Sequence, residues 1–284
     1  MLGKLIKYEW KNTYKVGLIL IFALAMATLM GFLAFQAPMW HQFRGRSVND
    51  NMGTLMMDMV SLFSFMLYLM ILVGAIYAAY IYFVVHFYKT MYTDQGYLLH
   101  TLPVGKNEIL VSKIFVGSVW LYLVFIGMTV SIVVFGVSMA SAISGESIAS
   151  VVRAIPEFVS EADIMFRDMG PLVVWYMVMM ILSLVLGVPA SIISFYGMVS
   201  FGQLFAKHRI VMAIVGYLGL IFIRGLVGTV LQVILSVSTA MVSNEEMFGN
   251  MYASMFSNLI LDLLLAVVGY LISYYVTSRK LNME

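Results

Sequence analysis

The sequence predicts an all-α integral membrane protein with six transmembrane helices, on three observations. Hydrophobic residues make up 62% of the chain, and the mean hydropathy is +0.97. Charged residues are only 11%, against roughly 25% in a soluble domain. They are too few to cover a water-facing surface, so the bilayer is the expected solvent. Six long apolar runs recur along the chain, and a helix needs about 20 such residues to cross the hydrocarbon core.

The runs lie at about 16–38, 59–85, 109–140, 171–201, 210–242 and 252–276. They place residues 1–284 in a single transmembrane domain. The longer runs tilt or protrude from the core. A membrane barrel is disfavoured, because its strands alternate polar and apolar residues over about 10 positions. The first run is too long for a removed signal peptide and is expected to stay.

Lys and Arg set the expected orientation. One set of segments holds Lys4, Lys7, Lys11, Lys15, Lys89, Lys106, Lys113, Lys207, Arg209, Arg279 and Lys280. The opposite segments hold Arg44, Arg46, Arg153 and Arg167 among many acidic residues, including Glu146, Glu157, Glu161 and Asp163. Positive charge concentrates on the cytoplasmic side, so both termini are expected there.

Residues 1–15 are expected to form an amphipathic interfacial helix. At 100° per residue the four lysines from Lys4 to Lys15 share one arc, with Leu2, Leu5, Ile6 and Trp10 broadly opposite. Such a helix lies in the headgroup region. Glu9 falls inside the apolar arc, where lipid would not favour it. That makes it a candidate for contact with a cytoplasmic partner.

The segment 86–108 is the most informative connection. It is rich in Tyr, Leu and turn formers, and Pro103 and Gly105 end any helix there. Its apolar residues ask for cover from the membrane, from their own bundle or from another protein.

"FYKTMYTDQGYLLHTLPVGKNEILVSK" resembles the loop between spans two and three of bacterial ABC-transporter permeases of the type-2 exporter class. "MLGKLIKYEWKNTYK" resembles the opening segment of that family, and "SFYGMVSFGQLFAKHRIV" its junction between spans four and five. The resemblance implies that 86–108 is a coupling loop whose short helix fits a groove of a separate ATPase subunit. It implies coupling roles for Tyr92, Asp94, Gly96, Tyr97, Leu98, Leu102 and Pro103. Tyr97 and Leu98 are then the anchors, and Asp94 faces a basic groove edge. Plain turn chemistry also accounts for Pro103 and Gly105.

The resemblance further implies the partners. These are two copies of the ABC ATPase, which carry ATP and Mg, and a second permease subunit in a homodimer or heterodimer. The location would be the bacterial plasma membrane, and the cargo a peptide, an antibiotic or a lipid-like amphipath. Residue patterns add exclusions. No phosphate-binding G-x-x-x-x-G-K-[ST] is present, so energy for uphill transport must come from another chain. His41, His86, His100 and His208 have no metal-ligand spacing, cysteine is absent, and no catalytic motif occurs. No cofactor is expected in this chain, no enzyme activity, and no nucleic acid partner at a net charge of +2. The alternative reading is a membrane sensor or scaffold that transports nothing.

Three features lie inside the apolar runs. Arg224 and Asp262 fall near mid-membrane, about 21 Å and 15 Å from opposite faces at 1.5 Å per residue. Such charges pair with each other or line a wet path; both readings stay open from sequence. Pro189, beside Val188 and near Gly187, kinks the fourth span as a static bend or a hinge. Ala23, Ala27 and Gly31 allow close approach of a helix, in this chain or in a second copy.

Overall fold

The computed structural model describes residues 1–35, 40, 51–101, 103–168, 171–205, 207–240 and 246–279. Among these there is no strand. The elements are α1 (Leu2–Ala34), α2 (Met52–Tyr92), α3 (Asp94–His100), α4 (Lys106–Ser144), α5 (Ile148–Asp168), α6 (Pro171–Gly202), α7 (Arg209–Ala240) and α8 (Glu246–Arg279). Six of them, all but α3 and α5, are long and apolar enough to cross a membrane. Each predicted run maps onto one of the six. The helix α2 extends well beyond its run: it has 41 residues, about 60 Å at 1.5 Å per residue, which is twice the hydrocarbon thickness.

Residues 2–15 and the first run as far as Ala34 form one unbroken helix, α1. No proline or paired glycine interrupts 2–34, so nothing stops propagation through the lysine-bearing turns. No apolar run falls between 140 and 171, yet Ile148–Asp168 is the helix α5. Its apolar residues are spread on one face and form no continuous run.

The chain divides into two compact units. One comprises Met1–Asn12, Ile81–Val119 and Phe166–Glu284; the other comprises Thr13–Tyr80 and Trp120–Met165.

In the second unit, α1, α2 and α4 pack through small and aromatic residues. Ala27, Tyr68 and Leu72 form its buried centre, with Met128 and Phe135 against them. The Tyr68 and Phe135 rings stack at 4.6 Å. A side chain at Gly31 would meet Tyr68 at 2.9 Å and Phe135 at 3.2 Å. Ala27 and Gly31 of the small-residue stripe therefore find neighbours inside this chain. Gly17 serves in the same way, since a Cβ there would overlap the indole of Trp120. That indole lies flat on α1 and donates to Thr13 Oγ1 at 3.1 Å. Thr28 donates to Ser131 Oγ at 2.9 Å, so polar groups in this apolar interior are bonded.

In the first unit, α8 packs against both α6 and α7. Gly197 and Gly269 let the backbones of α6 and α8 touch. A Cβ on Gly197 would overlap the Gly269 backbone, and one on Gly269 would meet the Ile193 carbonyl oxygen at 2.8 Å. Without water as a driving force, dispersion at such close crossings holds membrane helices together. The helix α6 continues through Pro189.

Candidate functional site

The site is the α2–α4 connection and the part of the first unit that supports it. The helix α2 ends at Tyr92, and Thr93 takes an extended conformation (φ −112°, ψ −171°) that no helix continues through. The seven-residue α3 follows at once. Gly96 is buried, and its N–H donates to the Thr93 carbonyl at 2.7 Å. A Cβ at Gly96 would lie 2.5 Å from the carbonyl oxygen of Met91. Only glycine lets α3 fold back this tightly on the last turn of α2.

Tyr97 points away from the unit and is 59% exposed. Pro103 is exposed on the segment that leads into α4. Tyr92 is turned inward: its phenol donates to Ser200 Oγ on α6 at 2.7 Å, and Ser200 Oγ lies 3.1 Å from Ser273 Oγ on α8. Its ring meets Phe87 edge-on, and Phe87 stacks on the buried Tyr196 at 3.9 Å. Of the residues singled out for coupling, Tyr97 and Pro103 are thus on the surface. Gly96 and Tyr92 instead fix the end of α2. Leu102 lies outside the described residues, as do the side chains of Asp94 and Leu98.

Beneath this connection is a buried ionic cluster. Lys113 on α4 is 3% exposed and Glu9 on α1 is 4% exposed. The ammonium donates to Glu9 Oε1 and to Thr90 Oγ1, the latter at 2.7 Å. Glu9 Oε2 lies 3.1 Å from His86 Nε2, and His86 stacks on Tyr82. Thr90 in turn donates to the His86 carbonyl at 2.7 Å. Burying an ammonium is tolerable only with a counter-charge and further hydrogen bonds; both are present. The cluster ties α1, α2 and α4 together. The place of Glu9 on an apolar arc makes it a candidate for an outside partner; Lys113 and His86 are partners inside the chain. The only local signal was a carboxylate on an apolar arc, which says that a partner exists and not which one.

A cavity of about 610 Å³ lies between the first turns of α1 and α3. Leu5, Tyr8, Glu9 and Asn12 line it on one side, Gln95 and Leu99 on the other. Lys106, the first residue of α4, donates to the carbonyls of Thr277 at 3.0 Å and Ser278 at 3.3 Å. A cation there complements the C-terminal end of the α8 dipole.

Far from this region, Arg224 on α7 and Asp262 on α8 form an ion pair, with Nη2 at 2.8 Å from Oδ1 and 3.1 Å from Oδ2. Both side chains remain partly exposed, 42% and 27%. Among the described residues no group of three His, Cys, Asp or Glu is placed to hold a metal.

No family model, no curated protein and no solved structure matches this chain. The membrane character and the geometry above are therefore what a functional reading has to work from.

Proposed function

We propose that this chain is the transmembrane subunit of an ATP-driven exporter. It would lie in the bacterial plasma membrane with both ends in the cytoplasm and the first turns of α1 at the cytoplasmic interface. A second permease subunit and two ATPase subunits, with their ATP and Mg, complete the assembly. The cargo is an amphipath of the peptide, antibiotic or lipid-like kind. One observation carries the reading: α3 is a short helix set off from two membrane-length helices, and it holds Tyr97 outward. An aromatic side chain offered in this way suits insertion into a partner's groove, where such anchors supply most of the binding energy.

The surroundings of α3 suit a mechanical role. Gly96 leaves no room for a side chain against Met91, and its N–H is bonded to the Thr93 carbonyl, so α3 is seated closely on the end of α2. Thr90, one residue before Met91, is bonded to Lys113, and Lys113 to Glu9. A push on α3 would then reach α1, α2 and α4 together. ATP-driven closure of the ATPase pair would supply the push, and the spans would move between inward- and outward-open arrangements.

The test is purification from native membranes, identification of any co-purifying ATPase, and ATP turnover of the complex. Tyr97→Ala should leave the protein folded and in the membrane while weakening ATPase association about five- to a hundred-fold, or about 1–3 kcal/mol. Normal association of Tyr97→Ala would remove α3 as the coupling element. If the parent protein binds no ATPase, the exporter reading falls and a sensor or scaffold replaces it.

A further inference from the structure

We infer that α5 is an interfacial helix that rests its apolar face on the lipid surface, with insertion driven by apolar contact and not by charge. The inference does not depend on transport. The face is defined by position: at 100° per residue, Ile148, Val151, Val152, Ile155 and Val159 fall within one arc of about 100°. Arg153, Glu157, Ser160 and Glu161 fall on the opposite side. Val152 is 47% exposed and Val159 59% exposed, so within this chain the apolar face is largely uncovered.

The ends of α5 decide what covers it. The helix α4 stops at Gly145, whose φ of 81° is left-handed and whose N–H caps the Ser141 carbonyl at 3.1 Å. A helix cannot continue through that conformation, so the chain turns. Ser147 then caps α5, its Oγ accepting from the Ser150 N–H at 3.2 Å. Only residues 145–147 separate α5 from α4, and only 169–170 separate it from α6. Both neighbours have the length and composition of membrane spans. Three residues reach at most about 10 Å. The helix is therefore held at each end within three residues of a helix of membrane-span length, and over 21 residues it runs about 30 Å.

A helix so placed, apolar on one side and charged on the other, lies in the plane of the interface. Its charge specifies the lipid chemistry further. The exposed polar face carries Glu157 and Glu161 against Arg153, so an anionic headgroup gains nothing there. The partner that fits is the apolar boundary of a neutral, zwitterionic lipid surface.

The absence of cysteine makes the test direct. Full-length Val152→Cys, Val159→Cys, Glu157→Cys and Glu161→Cys are each labelled with an environment-sensitive fluorophore and placed in phosphatidylcholine vesicles. Lipids bearing a shallow nitroxide should quench the two valine sites about threefold more than the two glutamate sites, and aqueous iodide should show the reverse order. Replacing part of the lipid by phosphatidylglycerol should change neither order. Ile148→Cys serves as a second reporter if a valine variant does not elute as a single species. Iodide access to the valine sites equal to that of the glutamate sites would overturn the inference. So would protection of the valine sites from both quenchers, which would mean that protein covers the face. Lipid quenching that needs phosphatidylglycerol would overturn the apolar mechanism.

Discussion

Lys113 and Glu9, 104 residues apart in the chain, meet as a buried ion pair that ties α4 to the first turns of α1. The same carboxylate reaches His86 on α2. Three helices thus share one carboxylate next to the α3 connection.

Removing either charge strands the other in an apolar interior. Glu9→Gln or Lys113→Met should each cost about 3–5 kcal/mol. The pair Glu9→Gln with Lys113→Met should lose much less than the sum of its singles, because no net charge is left buried. Thermal unfolding of the four proteins in one detergent checks this. Strictly additive losses would mean that the two residues do not act as a pair.

Arg224 and Asp262 allow a parallel test inside the spans. An unpaired ion at the helix centre costs at least about 2.5–3.5 kcal/mol. Arg224→Ala and Asp262→Asn should each lower abundance in the membrane, and the double change should lower it less than the singles together imply. If the double change falls as far as the sum, separate roles along a polar path are the better account.

The α6–α8 crossing rests on the absence of two side chains. Gly197→Val and Gly269→Val should each unfold the protein at a markedly lower temperature, since each new Cβ meets backbone that cannot rotate away. Gly219→Ala on α7 is the control. Nothing lies within 4 Å of a Cβ there, so it should be neutral or stabilising by up to about 1 kcal/mol. Equal tolerance at all three positions would falsify the close crossing.

Sidedness can be read by labelling single cysteines in intact cells. Ser147→Cys should react with an impermeant reagent from outside. Thr93→Cys and Ser278→Cys should react only after the membrane is opened. Outside labelling of Thr93→Cys would invert the orientation inferred from the lysine and arginine distribution.

The sequence by itself determined the membrane class and the six long helices, because both follow from local terms. Apolar runs of sufficient length must leave water, and their backbone groups must then bond within the segment. The two charges in the last two spans were likewise legible as residues that need partners. The tertiary structure decided which partners they have. Arg224 meets Asp262 across two helices, whereas Glu9, which the sequence turned outward, lies under Lys113 and His86. Such pairings join residues 38 to 104 positions apart, and no helical period carries that information. The glycines follow the same division. Gly17, Gly96, Gly197 and Gly269 look alike in sequence to Gly219, and only the neighbour that each would strike separates a required glycine from a replaceable one. The helix α5 stands between the two cases. Its face is written in the order of its residues, but Gly145 and Ser147 had to be seen ending one helix and starting the next before a charged connection could be told from a helix in its own right.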